Sequence, residues 1–170
     1  MLIAKTIRKI INYGPIIFLY YLSISEIDTH FENYFEILSF NIQLIIIYFW
    51  SLKRPEILGN GHIFFAGLIN DVVMGMPLGL SSLSYLVVSF VATYVKNMTV
   101  NTSITTDWFT FFIAIFFSNA IFLILAVNFS NLTITFIDIS YNVFFTLIFF
   151  PFFWFLFNVY SRIITSGTNV

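Results

Sequence analysis

Six apolar stretches joined by short connections decide what this chain can fold into. They run about 10–25, 37–52, 62–76, 81–95, 108–127 and 139–160. A full membrane-crossing helix takes about 20 mostly apolar residues. The third and fourth stretches fall short of that and are expected to be tilted or extended into their loops. The connections are brief, which favours one compact antiparallel bundle over residues 1–170 with no separate soluble domain. Charged residues make up 9% of the chain, against about 25% in a soluble domain, too few to cover a water-facing surface. The expected fold class is therefore an all-α integral membrane protein, a compact bundle of six transmembrane helices.

The few cations set its orientation, because Lys and Arg collect on the cytoplasmic side of a membrane. Lys5, Arg8 and Lys9 precede the first stretch, Lys53 and Arg54 follow the second, Lys96 follows the fourth and Arg162 the sixth. All seven fall on one side if both termini are cytoplasmic. The opposite connections hold Glu26, Asp28, Glu32, Glu36 and Asp138 without a basic residue. A cleaved signal peptide is the competing reading of the first stretch, but Ser23-Ile24-Ser25 is a weak cleavage site. Segment 31–38 places apolar residues at helical spacing, with Glu32, Asn33 and Glu36 on the other face. It reads either as an interfacial helix leading into the second span or as a docking surface.

The third stretch carries the most unusual pattern, Gly67-x3-Asp71-x3-Gly75-x-Pro77-Leu78-Gly79. On a helix, Gly67, Asp71 and Gly75 form one stripe. A carboxylate inside an apolar span costs about 2.5–3.5 kcal/mol on insertion scales, so Asp71 is expected to face protein or water. The glycines are expected to let another helix approach closely, and Gly75→Leu to block that approach. Gly75 to Gly79 read as the tip of a hairpin, with Ser81 or Ser82 capping the next helix. Candidate hydrogen-bond partners for Asp71 are Asn70, Ser118, Asn119 and Asn142. A proton or ion relay would need further titratable groups across the bilayer, and only His62 is a candidate. A structural or interaction role is the simpler reading.

Elsewhere the pattern points to architecture. Lys53-Arg54-Pro55 ends the second helix, because proline disfavours helix at the residue before it, and the two cations anchor the cytoplasmic interface. In the last stretch stand Asn142 and Pro151, the latter expected to kink the helix. Catalysis is not expected. His30 and His62 fall on opposite sides in this topology, and no metalloprotease, nucleophile-elbow or phosphate-loop motif is present. There is no cysteine, which removes disulfides and thiolate sites. A net charge of −1 gives no basic stripe for nucleic acid. No metal or other cofactor is expected.

With Arg54-Pro55, the Gly67–Gly79 hairpin motif, and Asn142 with Pro151 in the last span, the chain resembles the MreD family of bacterial rod-shape-determining membrane proteins. The resemblance implies a non-catalytic scaffold of the cell-wall elongation complex in the inner membrane. Its implied partners are an MreC-type membrane protein, a RodA-type glycosyltransferase, a penicillin-binding transpeptidase, RodZ, MreB and membrane lipids. It also implies a six-helix arrangement similar to the substrate-binding subunits of energy-coupling-factor transporters, so shared fold does not settle function. In the scaffold reading, the glycine stripe packs against a helix, such as that of an MreC-type partner. In the alternative reading, the bundle is the vitamin- or small-solute-binding subunit of a transporter. Bulky residues throughout the first stretch, where such subunits carry a small-residue stripe, and the lack of a polar cluster in the outer loops favour the scaffold.

Overall fold

A computed structural model describes residues 2–25, 41–99, 103–129 and 136–166. Six helices and no strand occur among them. In chain order they are α1 (Leu2–Ile24), α2 (Ile42–Lys53), α3 (Asn60–Val73), α4 (Leu80–Met98), α5 (Ile104–Phe129) and α6 (Phe136–Ser166). His30 and segment 31–38 lie outside the described residues.

α2 is the axis of the structure. Its residues Leu44 to Leu52 are buried without interruption, so every face of the helix is covered. A helix that is hydrophobic all round belongs inside a protein or membrane, and Leu44-Ile-Ile-Ile-Tyr-Phe-Trp fits that rule. Around it pack α1, α4 and α6. Aromatic contacts tie it to its neighbours: Tyr48 meets Phe111 of α5 and Phe150 of α6, and those two stack at 4.3 Å between ring centroids. Further along, Phe49 meets Phe157 and Trp50 meets Tyr160. Offset ring pairs of this kind add about 0.5–1.5 kcal/mol each beyond their buried area.

Among the described residues, two helices are long and apolar enough to cross a membrane: Ile104–Phe129, and Ile139–Ile164 within α6. Only 28% and 22% of an 18-residue apolar stretch within each is buried inside the protein. Such exposure separates them from the core helices of a soluble domain, which would be mostly covered. Phe109, Phe116, Phe152 and Phe155 are each more than 60% exposed, a surface suited to acyl chains rather than water. α3, at 14 residues, rises only about 21 Å, short of the roughly 30 Å hydrocarbon core.

The helix ends follow local chemistry. α2 stops at Lys53, directly before Arg54-Pro55, and the Arg54 amide closes the last turn on the Trp50 carbonyl at 2.8 Å. α6 stays helical through Pro151. α3 ends earlier than the apolar stretch suggests, at Val73 rather than Met76. The reason is backbone conformation: Gly75 takes φ +63° and Gly79 φ +100°, both left-handed values that helices do not propagate.

Candidate functional site, a capped hairpin and a buried ion pair

The hairpin between α3 and α4 is organised by one side chain. Asp71 is fully buried. Its Oδ2 accepts a hydrogen bond from the Gly79 amide and its Oδ1 one from the Ser81 amide, each at 2.8 Å. Its own carbonyl accepts from the Met76 amide at 2.8 Å. The first amides of a helix have no partner within the helix, and a side chain just before it usually supplies one. Gly79, at that position on α4, has no side chain to offer. The Asp71 carboxylate reaches across the hairpin and caps α4 instead, at the end where the helix dipole favours negative charge.

This arrangement revises three sequence expectations. Asp71 bonds to backbone amides, not to Asn70, Ser118, Asn119 or Asn142. Neither serine caps α4: Ser81 contributes its amide, and the Ser82 hydroxyl donates to the Phe64 carbonyl at 3.1 Å. Gly75 also leaves the supposed stripe, because it lies beyond the end of α3. A side chain there would meet open space, so its requirement is the positive φ and not close packing.

Gly67 is the true contact glycine. A Cβ at this position would lie 2.4 Å from the Ser82 Cα and 2.6 Å from the Ser82 amide nitrogen. The α3 and α4 backbones therefore touch here, and the face is occupied by the chain's own α4. Pro77 and Gly79 close the turn, with the Leu80 amide on the Pro77 carbonyl and the Leu83 amide on that of Gly79.

Polar side chains extend the hairpin into the bundle. Asn70 donates through Nδ2 to Ser81 Oγ at 3.1 Å and accepts from Gln43 Nε2 at 3.2 Å. Gln43 Oε1 in turn accepts from the Tyr85 hydroxyl. The chain Tyr85–Gln43–Asn70–Ser81 thus joins α2, α3 and α4 at the Asp71 end. α5 is held to α4 by a reciprocal pair: Ser118 donates to the Ser84 carbonyl at 3.0 Å, and Ser84 to that of Ser118 at 3.4 Å. Asn142 lies in α6, where its carbonyl accepts from Thr146 Oγ1, and that same oxygen takes the Asn41 amide.

At the other end of the bundle a second carboxylate is buried. Asp107, in the first turn of α5, is fully covered. Its Oδ2 lies 3.2 Å from Lys53 Nζ and accepts from Trp154 Nε1 at 2.9 Å. Lys53 Nζ also lies 5.9 Å from the Trp154 ring centroid. The cluster joins α2, α5 and α6. Lys53, expected as an interfacial anchor, is thus an internal clasp as well. Sequence reasoning missed Asp107, although an acid on the same side as Lys53 and Arg54 in the expected topology was a usable signal. His62 lies at this end too, with Nδ1 3.3 Å from the Tyr20 hydroxyl, about 14 Å along α3 from Asp71.

These sites are built to join helices. The family model described as rod shape-determining protein MreD matches residues 8–162. The chain belongs to the MreD family. No curated protein and no solved structure matches it significantly. For this MreD protein, cell-shape determination at a membrane is the family role.

Three outcomes are expected of the purified protein, each read from its thermal unfolding. Asp71→Asn keeps one acceptor and leaves one amide unpaired, a loss of about 1–3 kcal/mol; Asp71→Leu orphans both and loses about twice that. Gly67→Ala forces backbones apart and is more damaging than Gly75→Ala, whereas Gly75→Asn restores most of the stability because asparagine tolerates the left-handed region. Equal damage from Gly75→Ala and Gly75→Asn would contradict the conformational account. Lys53→Met strands a buried carboxylate and costs about 3–5 kcal/mol, and adding Asp107→Leu recovers part of it.

Proposed function

We propose that this protein is a non-catalytic scaffold of the rod, or elongation, complex in the bacterial inner membrane. In this reading it crosses the membrane six times, with both termini cytoplasmic, in an arrangement similar to the substrate-binding subunits of energy-coupling-factor transporters. It binds an MreC-type protein and helps organise peptidoglycan synthesis by a RodA-type glycosyltransferase and a penicillin-binding transpeptidase, alongside RodZ and MreB. The observation that carries the reading is the match of the MreD family model over nearly the whole chain. Placement of all seven Lys and Arg on one side of the expected topology supports the orientation.

The geometry narrows where a partner would dock. Gly67 and Asp71 are spent on the contact between α3 and α4, so neither is available to a second protein. The outward faces of α5 and α6 are broad apolar surfaces, and a partner's transmembrane helix would compete there with lipid by packing rather than by hydrophobic transfer.

An affinity pull-down from native membranes in mild detergent, read by mass spectrometry, tests the proposal. Recovery of an MreC-type protein with the wall synthases is the expected result. Recovery of paired ATPases with a transporter membrane subunit would replace the scaffold by the solute-binding reading.

A further inference from the structure

Between the ends of α2, α3, α4, α5 and α6 on the Asp71 side lies a cavity of about 330 Å³. Its wall holds five carboxamides, Asn41, Gln43, Asn70, Asn119 and Asn142, together with the hydroxyl of Tyr85. No charged side chain lines it among the described residues. Asp71 is adjacent in sequence to Asn70, but both of its oxygens are bound to amides of the hairpin. A wall so rich in amides is costly in an apolar bundle unless its donors and acceptors are used. Part of the wall satisfies itself through the Tyr85–Gln43–Asn70–Ser81 chain.

Other capacity on the wall is unspent. Asn41 uses its Oδ1 to cap α2 through the Leu44 amide, and its Nδ2 makes no hydrogen bond among the described residues. Asn119 uses its Nδ2 on the Ile115 carbonyl, and its Oδ1 makes none. The cap of α2 thus leaves a donor, and α5 an acceptor, on residues lining the same cavity.

We propose that this cavity is a binding site for a small neutral molecule carrying both hydroxyl and amide groups. A donor and an acceptor left open on residues lining the same cavity call for a ligand with both functions. The uncharged wall disfavours phosphates, carboxylates and amines, which would lose hydration without gaining a counter-charge. The volume is at the low end of the range of about 300–1,000 Å³ typical of ligand pockets, which suits a molecule of one ring. Such a group arrives either as a free solute or as the head of a lipid. The site goes beyond the scaffold role and does not rest on it.

The test uses the full chain in lipid nanodiscs, with unfolding followed by tryptophan fluorescence. The probes are N-acetylglucosamine, neutral with both functions; its octyl glycoside below the micellar concentration, the same head on an alkyl chain; and glucosamine, the cationic control. A saturable rise in Tm of about 2–4 °C with N-acetylglucosamine, absent with glucosamine and lost in Asn119→Leu, is the expected result and identifies a free solute. The same response to the octyl glycoside alone supports the site and assigns it to a lipid head. Should Asn119→Leu fail to fold, Asn119→Ala removes the open acceptor without added bulk and is expected to abolish the response. No shift with either neutral probe, an equal shift with glucosamine, or an unchanged shift in the Asn119 variant would overturn the proposal.

Discussion

Two hydrogen bonds from the α4 amides to the Asp71 carboxylate hold together much of what surrounds them. They supply the cap that Gly79 lacks, and so determine where α4 begins. They also bind the end of α3 to the start of α4, which keeps Gly67 against the Ser82 backbone. With α3 and α4 held that close, Asn70 reaches both Ser81 and Gln43, and the network extends to α2. The cost of burying a carboxylate is offset by charge-assisted bonds in a setting with little competing water. Among the described residues no cation pairs with Asp71, and the positive end of a helix takes that place.

Among the described residues the bundle carries one buried carboxylate at each end, held in two different ways, and Asp107 keeps its Oδ1 without a hydrogen bond. Asp71 uses backbone dipoles, whereas Asp107 uses a lysine and an indole. Asp71 closes the hairpin between consecutive helices, whereas Asp107 joins elements distant in sequence. Between them the core is aromatic and aliphatic, with short polar bridges such as Ser51 to Ser89 and Ser89 to Asn60. In lipid, apolar contact between helices gains little over contact with acyl chains, so polar pairs and close backbone approach carry more of the specificity. The two carboxylates and Gly67 are where this chain invests in both.

Reading the chain residue by residue recovers some of these features and misses others for definable reasons. Pro55 marks the end of α2 because its effect is local and steric. The apolar stretches mark the helices because hydrophobicity is a property of composition. Gly75 misleads: a glycine four residues after a buried acid fits a packing stripe as well as a turn, and only its φ distinguishes them. Asp71 is recognisable as buried and important, but its partners are backbone amides, which every residue possesses and no sequence motif advertises. Asp107 went unread because its partners, Lys53 and Trp154, stand 54 positions before it and 47 after it.

By itself, the sequence determined that this is a helical, lipid-facing chain of the MreD family, with its cations on alternate connections and a buried acid before a glycine turn. Those features depend on composition, short-range sterics and charge order, all of which are written along the chain. Tertiary structure alone decided that α2 would be the central helix, that Gly67 would meet Ser82, that Asp71 would cap α4, and that five amides would surround one cavity. Each of these depends on which helix ends converge in space, and convergence is set by packing between segments rather than by any residue's own preference.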